Sequence, residues 1–590
     1  MFKLKRNYNV NHLPAEEDLS KFAVPYTPEK FTRKELKWLS PFFTNIDKPV
    51  FVVKNLPEEV MGALSSRYSR STRSLRRMFL DEYVGPIVST ENPTRRDLKL
   101  RDRFLEYINF LNRSRGIDEV VNVQRSRAFF DRWLAEYGDD SIAEMGGVHL
   151  CVEGLSNVAV KEIEDKRIGL SPLEKSTRYV SFAQKRADGE YQYVLPGEIK
   201  GTKLESEYKG SMDTLFGTYV ELLEPYLEYI KSLYPMGEDE TERSFIASRS
   251  AKRFDDLRDL LPYSTQTNVA LFGNGRAFED LINRLLGHPL GELRWWGQMI
   301  LTELEKVVPS FVRRPKTERG GQVQLYRKNI IALKDELYDE AFAKVKTLSQ
   351  FKKWVSLVSA TPNADVEILS SYLFSAGIAR SLKDIKEKVK KLTERKRVEF
   401  LGKILLERKF NKMNSERSEV RFRKVPRAFE NAHYLFEVWA RSGDYKDLQR
   451  HRQQTQDRQR FNSFWGYDIE DELKKSPFKE KVEMALKVIQ ELYPKLLRAS
   501  PYVAQYSVAF AYITHWYMHL TAREIYWIGE LRTSPQGRPH YRKICQQIAT
   551  LAKEKDPSVF QGMMIDYNDY SLARRESEKK IEAKLKSIVK

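Results

Sequence analysis

The chain has 590 residues, 41% of them hydrophobic, with 101 Lys and Arg against 82 Asp and Glu for a formal charge of +19. That length exceeds one ordinary core, since domains run to roughly 100–200 residues, and that apolar share can drive burial, so a wholly disordered chain is excluded. Two cysteines, Cys151 and Cys545, exclude a disulfide framework, eight scattered histidines give no zinc-finger spacing, and the positive charge calls for anionic partners without choosing among nucleic acid, lipid headgroups and phosphorylated small molecules.

The opening stretch, MFKLKRNYNVNHLPAEEDL, turns polar after two hydrophobic residues and reads as neither a secretory signal nor a clear transit peptide, so a reducing cytoplasm is the expected location. Residues 1–45 are expected to form an N-terminal arm. SSRYSRSTRSLRRMFLDEY, from Ser65, interleaves arginines with aromatics as RNA binders do, and reads as helix with one basic solvated face. VHLCVEG (Val148–Gly154) and HYLFEVW (His433–Trp439) alternate like strands packed on one face by helices. VRRPKTERGGQVQ (Val312–Gln324), with proline, adjacent glycines and unbalanced charge, predicts a linker over 313–330 with its boundary near Gly320. ASPYVAQYSVAFAYITHWYMHLTA (Ala499–Ala522) holds no Asp, Glu, Lys or Arg, yet Gln505, His515 and His519 make it too polar for lipid; it predicts a central core helix rather than a membrane span. His515 and His519 have metal-pair spacing on that helix but no acidic or Cys companion, and no metal is assigned.

Two features recur in the same order, so the chain reads as a duplication. Counting from Glu144 and from Glu430, Glu164-Asp165-Lys166 falls where Arg450-His451-Arg452 falls. Later, ALFGNGRAFEDLINRLLGHPLGELRWWG (from Ala270) aligns with YMHLTAREIYWIGELRTSPQGRPHYR (from Tyr517), both helix-like runs that end in a Gly/Pro break. The expected class is α+β, with a first domain over 46–312 and a second over 331–590.

With Arg450-His451-Arg452, EKSTRY (Glu174–Tyr179), LRDLLP, GNGR and ELR on the page in that arrangement, the chain resembles two tandem copies of the flavin-dependent thymidylate synthase fold, in which helices pack on an antiparallel-rich sheet. The resemblance spans roughly residues 50–310 and 360–580, and the family's motif set is present only when the two copies are added together. It implies FAD as cofactor, NADPH and methylenetetrahydrofolate as co-substrates, and dUMP as substrate. It also implies a homodimer that forms a pseudo-tetramer, with no membrane partner; nucleic acid is possible but not favoured.

By the resemblance, Arg450, His451 and Arg452 hold the flavin, with Thr455 and Asp457 standing in for the Ser and Asn that follow, and Glu430 as a glutamate of the same site. Taken by themselves, the triplet could be a solvated basic helix end and the glutamates helix caps or ion-pair partners. Ser141, Glu144, Asn274, Arg276 and, with a one-residue gap, His288 match further flavin positions, and Thr521 and Arg523 occupy the second copy's Asn-x-Arg places. Asp139 or Asp140 stands where a histidine is usual. Glu174, Ser176 and Arg178 match the nucleotide loop, Arg258 and Arg284 the two further nucleotide arginines, and Arg532 keeps one of these in the second copy. Gln505 replaces the counterpart of Arg258, while Arg460 and Asn462 replace the Ser and Arg of the loop, so the second copy's own nucleotide site is expected to have decayed. Carboxylates at 164 and 165 are expected to repel a flavin pyrophosphate. A hybrid site follows, with the second copy giving the triplet and the first the loop.

The same resemblance makes Ser176, Arg178 and Arg258 the catalytic candidates, acting by orientation and electrostatics, and guanidinium forks suit phosphates and a reduced flavin. No cysteine is needed; Cys151 and Cys545 read as inert core residues. The reading is an FAD-dependent thymidylate synthase making dTMP. The alternatives are a flavoprotein of the same fold with a changed substrate, and a non-enzymatic basic protein that binds nucleic acid.

Overall fold

The computed structural model describes residues 17–113, 123–132, 141–238, 240–343, 353–408, 420–570, 572 and 575. The chain divides into two compact units. The first comprises Met1–Phe216, Pro262–Thr347 and Glu491–Ser507; the second comprises Gly217–Leu261, Leu348–Gln490 and Val508–Lys590. Each unit therefore takes its sheet from one half of the sequence and a segment from the other.

The first unit holds strands β1 (Val50–Val53), β2 (Gly147–Ser156), β3 (Leu170–Glu174) and β4 (Gln266–Asn274) in the order β1-β2-β4-β3. The second holds β5 (Val355–Ala360), β6 (His433–Arg441), β7 (Thr455–Arg458) and β8 (Ile513–Thr521) in the order β5-β6-β8-β7. All pairings are antiparallel. Helices follow the same strands in both units: α1 (Asn157–Glu164) after β2, α2 (Gly275–Leu286) after β4, α3 (Glu318–Phe342) closing the first half, α4 (Ser442–Leu448) after β6 and α5 (Ala522–Arg532) after β8. Identical strand order and helix placement make the second unit a repeat of the first, an α+β fold used twice.

The two sheets differ in what covers them. In the first unit, Phe51, Cys151 and Ala270 pack under an N-terminal layer that includes Trp38, Phe42, Phe43, Met78 and Phe79, so β2 is buried on both faces. Burial pushes the Cys151 thiol far up, and the Cys545 thiol up to about 12, as inert core cysteines require. In the second unit, Tyr434, Phe436, Val438, Trp516, Met518 and Leu520 face the core, while His433, Tyr517 and His519 are exposed.

Three expectations are corrected. The segment 499–522 is not one helix: after a turn at Pro501–Ala504 it becomes β8, because its Trp516/Met518/Leu520 alternation has period two, the strand repeat. His515 and His519 consequently share a sheet face, where His515 Nε2 lies 2.8 Å from Glu437 and His519 stacks on His433 at 5.0 Å. No group of three metal-ligating residues forms among the described residues. The predicted linker is helical instead: Thr317 caps α3 by accepting from Gly320 N at 3.3 Å, and a Cβ on Gly320 would collide with the backbone of Arg314 and Pro315. Nor is the basic stretch from Ser65 one helix with a single solvated face: it spans the end of one helix (Glu58–Tyr68) and a second (Leu75–Phe79), and Arg67, Arg70 and Arg73 are exposed while the arginines that follow turn inward. Arg76 is 1% exposed with its guanidinium 3.7 Å from the Phe51 ring, and Arg77 pairs with Glu29 at 3.0 Å. No helix among the described residues is long and apolar enough to cross a membrane.

Candidate functional site

The first unit contains Ser141, Glu144, Glu174, Ser176, Arg178, Asn274, Arg276, Arg284 and His288. The second contains Arg258, Glu430, Arg450, His451, Arg452, Thr455, Asp457, Arg523 and Arg532. Arg258 is thus the first-half candidate that joins the second half's triplet in one unit. Asp139 and Asp140 lie outside the described residues.

In the second unit, α4 delivers the triplet. His451 is 4% exposed; its Nε2 accepts from Arg532 Nε at 2.8 Å and its Nδ1 lies 2.9 Å from Glu524 Oε1. An acceptor at Nε2 leaves the proton on Nδ1, which donates to Glu524. Burial, with the nearby Arg532 charge, lowers the His451 pKa against the opposing pull of Glu524, so the ring is a neutral relay. Arg450 and Arg452, on either side, are exposed. Thr455 and Asp457 are exposed on edge strand β7, opposite His519 and Tyr517. Arg523 Nη1 donates to Glu430 Oε1 at 2.5 Å and its Nε to Val425 O at 3.1 Å.

Arg258 is 2% exposed, and its Nη2 donates to Gly443 O at 2.9 Å and to Asp447 Oδ2 at 3.2 Å, on the helix that leads into the triplet. Behind it lies a buried ionic cluster that sequence reasoning missed. Arg538 Nη2 donates to Asp259 at 2.8 Å, Arg441 Nη2 to Glu470 at 3.0 Å and Arg441 Nε to Asp444 at 3.2 Å, while His540 Nδ1 lies 2.5 Å from Asp444. The signal available in the sequence was the carboxylate beside Arg258 in LRDLLP; Arg538 and His540, in GRPHYR, had no pattern to flag them.

In the first unit, the register corrects the residue-by-residue equivalence of the halves. Val152 faces Val269 across β2–β4 as Val438 faces Trp516 across β6–β8, but β2 carries a bulge between Glu153 and Leu155 that β6 lacks. Gly154, at φ +84°, supplies the left-handed residue the bulge needs. Beyond it, Asn157 N donates to Thr265 O as Ser442 N donates to Tyr512 O. Asp165-Lys166-Arg167, not Glu164-Asp165-Lys166, therefore corresponds to Arg450-His451-Arg452. Glu164 is instead buried against the Lys161 ammonium, which Glu174 also holds at 3.0 Å. Of the two carboxylates expected to repel a pyrophosphate, only Asp165 falls within the triplet's equivalent.

Glu174, at 5% exposure, supports the Glu174–Tyr179 loop from inside through Lys161. Beyond it, Lys175 is buried, Ser176 N donates to Ser69 O at 2.7 Å, and Ser176 Oγ accepts from Arg178 N at 3.2 Å. Asn274 caps α2 by accepting from Ala277 N at 2.8 Å. Arg276 Nη1 donates to Glu144 Oε1 at 2.7 Å, the same pairing as Arg523 with Glu430. Arg284 donates to Glu162 at 3.2 Å, and buried His288 accepts from Leu290 N at 3.1 Å. Ser141 precedes this group with its carbonyl accepting from Glu144 N at 3.1 Å. Glu144, Asn274 and Arg276 line a cavity of about 620 Å³.

A family model described as thymidylate synthase complementing protein matches residues 103–310 and again residues 356–558. The chain belongs to that family, the flavin-dependent thymidylate synthases, in tandem-duplicated form. A UPF0159 protein of Chlamydia pneumoniae is 36% identical over 94% of this chain and 98% of its own, and one of Thermoplasma acidophilum 29% identical over 88% and 97%. A flavin-dependent thymidylate synthase of Mycobacterium sp. is 28% identical over 189 residues, 31% of this chain and 68% of its own. Among solved structures, a UMP/dUMP methylase from Streptomyces cacaoi is 15% identical over 36% of this chain and 96% of its own, with a TM-score of 0.28.

Proposed function

We propose that the chain is an FAD-dependent thymidylate synthase that converts dUMP to dTMP with methylenetetrahydrofolate and NADPH, at sites to which both halves contribute. The observation that carries this reading is the packing of first-half Arg258 against α4, through Gly443 and Asp447, on the helix that leads into the second half's Arg450-His451-Arg452. Pooling of motif groups from two copies requires such an exchange.

The residues present fit a flavin. Two exposed guanidiniums flank an imidazole whose both nitrogens are engaged, so His451 fixes the backbone from which Arg450 and Arg452 can fork onto phosphate oxygens. When bound, the flavin would supply the hydride that completes the methyl group. The chain's own part is to bind and orient. Arg178 and Ser176, on a loop anchored by Ser69 and Lys161, would take the nucleotide, and cationic groups would favour the uracil ring as negative charge develops on it.

A second reading, a flavoprotein with a changed substrate, is favoured by Arg258 itself, whose guanidinium is held by Gly443 and Asp447 inside the protein. Release of the uracil C5 proton from dUMP in the presence of reduced flavin decides between them: release supports the synthase, and flavin binding without release supports the changed substrate. Arg178→Ala should weaken dUMP binding with flavin retained, and Arg450→Ala should do the reverse. Loss of flavin alone in both variants refutes the hybrid assignment.

A further inference from the structure

We propose that α3 of the first unit pairs antiparallel with α3 of a second copy of this chain, through an apolar seam of Tyr326, Ile330, Leu333 and Leu337. The pairing does not depend on the activity proposed above, because α3 lies outside both segments matched to the family. One side of the helix is already held by its own unit. Gln324 Nε2 donates to Asn283 Oδ1 at 3.1 Å, Arg327 pairs with Asp280, and Asp335 accepts from the Tyr502 hydroxyl at 2.7 Å. At 3.6 residues per turn, positions 324, 327 and 335 fall along one side of the helix.

The seam lies on another side, roughly 120° further round the axis by the same pitch. Its steps of four, three and four residues are the spacing by which one helix meets a second along its length. Tyr326 is 65% exposed, Ile330 45% and Leu337 53%, with Leu333 half-buried between them. Single apolar side chains at a surface are ordinary, but a continuous row along a helix whose opposite side is packed calls for a partner. Charge selects that partner. Residues 318–330 carry three cations and one carboxylate, whereas residues 331–342 carry one cation and four carboxylates. Two copies laid antiparallel bring the acidic half of each helix beside the basic half of the other; laid parallel, they would set like charges together. A surface that holds both complementary halves is complementary to itself, which is what a two-fold dimer requires. Alternating the two rows of the seam across the pair sets Tyr326 against Leu337, and Ile330 against Leu333, of the other copy.

Two experiments on the full chain test the surface and the direction. In sedimentation velocity the wild type should dimerise, and Ile330→Glu combined with Leu337→Glu should raise the dissociation constant by about ten-fold or more, because carboxylates would be buried in the seam. Both positions are exposed, so the double variant should fold normally, which circular dichroism checks. For direction, Tyr326→Cys and Leu337→Cys chains carrying different tags are co-expressed and treated with a short bifunctional maleimide; the native Cys151 and Cys545 are buried. Antiparallel helices should link unlike chains, since each new thiol would then lie about 16 Å along the axis from its counterpart in a like chain, beyond the reach of the reagent. A chain that stays monomeric at every concentration leaves the seam to a different protein and overturns the proposal. So does a dimer that the double variant leaves unchanged, or crosslinking only between like chains.

Discussion

Replacing Lys175 by methionine should stabilise the protein at neutral pH. Lys175 is 8% exposed, and its ammonium lies 5.5 Å from the centre of the Phe182 ring. Burial pushes its pKa from the usual 10.5 down to about 8, against a smaller upward pull from Glu153. Because the folded value is below the unfolded one, the unfolded chain holds more protons between them. Folding stability attributable to this group therefore rises from pH 8 to pH 10.5, and below pH 8 the folded state carries the full penalty of a buried charge. A gap of that size corresponds to about 3 kcal/mol. Methionine conserves the volume and places a thioether near the ring, so Lys175→Met should gain about 1–3 kcal/mol at pH 7 and lose that gain by pH 10.5. Guanidinium unfolding followed at pH 7, 9 and 10.5 measures both quantities. A variant less stable than wild type at pH 7, or a difference that does not shrink with pH, refutes the reasoning. A cation kept at this cost beside Ser176 and Arg178 should serve the loop's anionic ligand, so the same variant should bind dUMP more weakly.

Acid should act through the buried cluster of the second unit. Burial pushes the Asp444 carboxyl up, but Arg441, His540 and Arg538 outweigh it and hold its pKa well below the usual range, so its contribution is complete above about pH 4 and is lost as pH falls further. Asp444→Asn should flatten the loss of stability below pH 4 in acid titrations. Arg276→Ala should change stability by under about 1 kcal/mol, because its pair with Glu144 is exposed, while flavin fluorescence titration should show weaker binding.

The sequence made the two strands β2 and β6 legible, because VHLCVEG and HYLFEVW alternate and end at helix starts. It hid β8, since a run without charges was weighed by its length rather than by its period. It misplaced the first triplet by one residue because a bulge at Gly154 leaves no mark in residue counting, and only the ladder to β4 shows it. It could not give the exchange of segments, since nothing local in LRDLLP says which sheet its arginine will reach. The α3 helix was obscured by Gly320 and Gly321, which read as breakers but sit in its first turn, where Gly320 packs too closely on Arg314 and Pro315 for a side chain.

That exchange has a physical rule behind it. Apolar segments pack almost as well in one copy of a repeated core as in the other, whereas a buried ionic cluster accepts only the segment that completes it, and a buried cation left alone costs about 3–5 kcal/mol. Arg441 and Arg538 of the second half, both 1% exposed, meet Asp259 of the first half, and Asp447 meets Arg258. The second half without residues 217–261 would thus bury Arg441 and Arg538 each short of the Asp259 carboxylate, with Glu470 and Asp444 left to them, and Asp447 without Arg258. Residues 348–590 expressed alone should be aggregated or lack cooperative unfolding, and co-expression with residues 1–347 should restore a soluble complex of the two pieces. A second half that is monomeric and folds cooperatively by itself would mean that the cluster does not direct the exchange. Asp259→Asn in the co-expressed first piece sharpens the result, because it keeps the shape and removes the charge: the yield of complex should fall with it, while an exposed change such as Glu228→Gln should leave the yield unchanged.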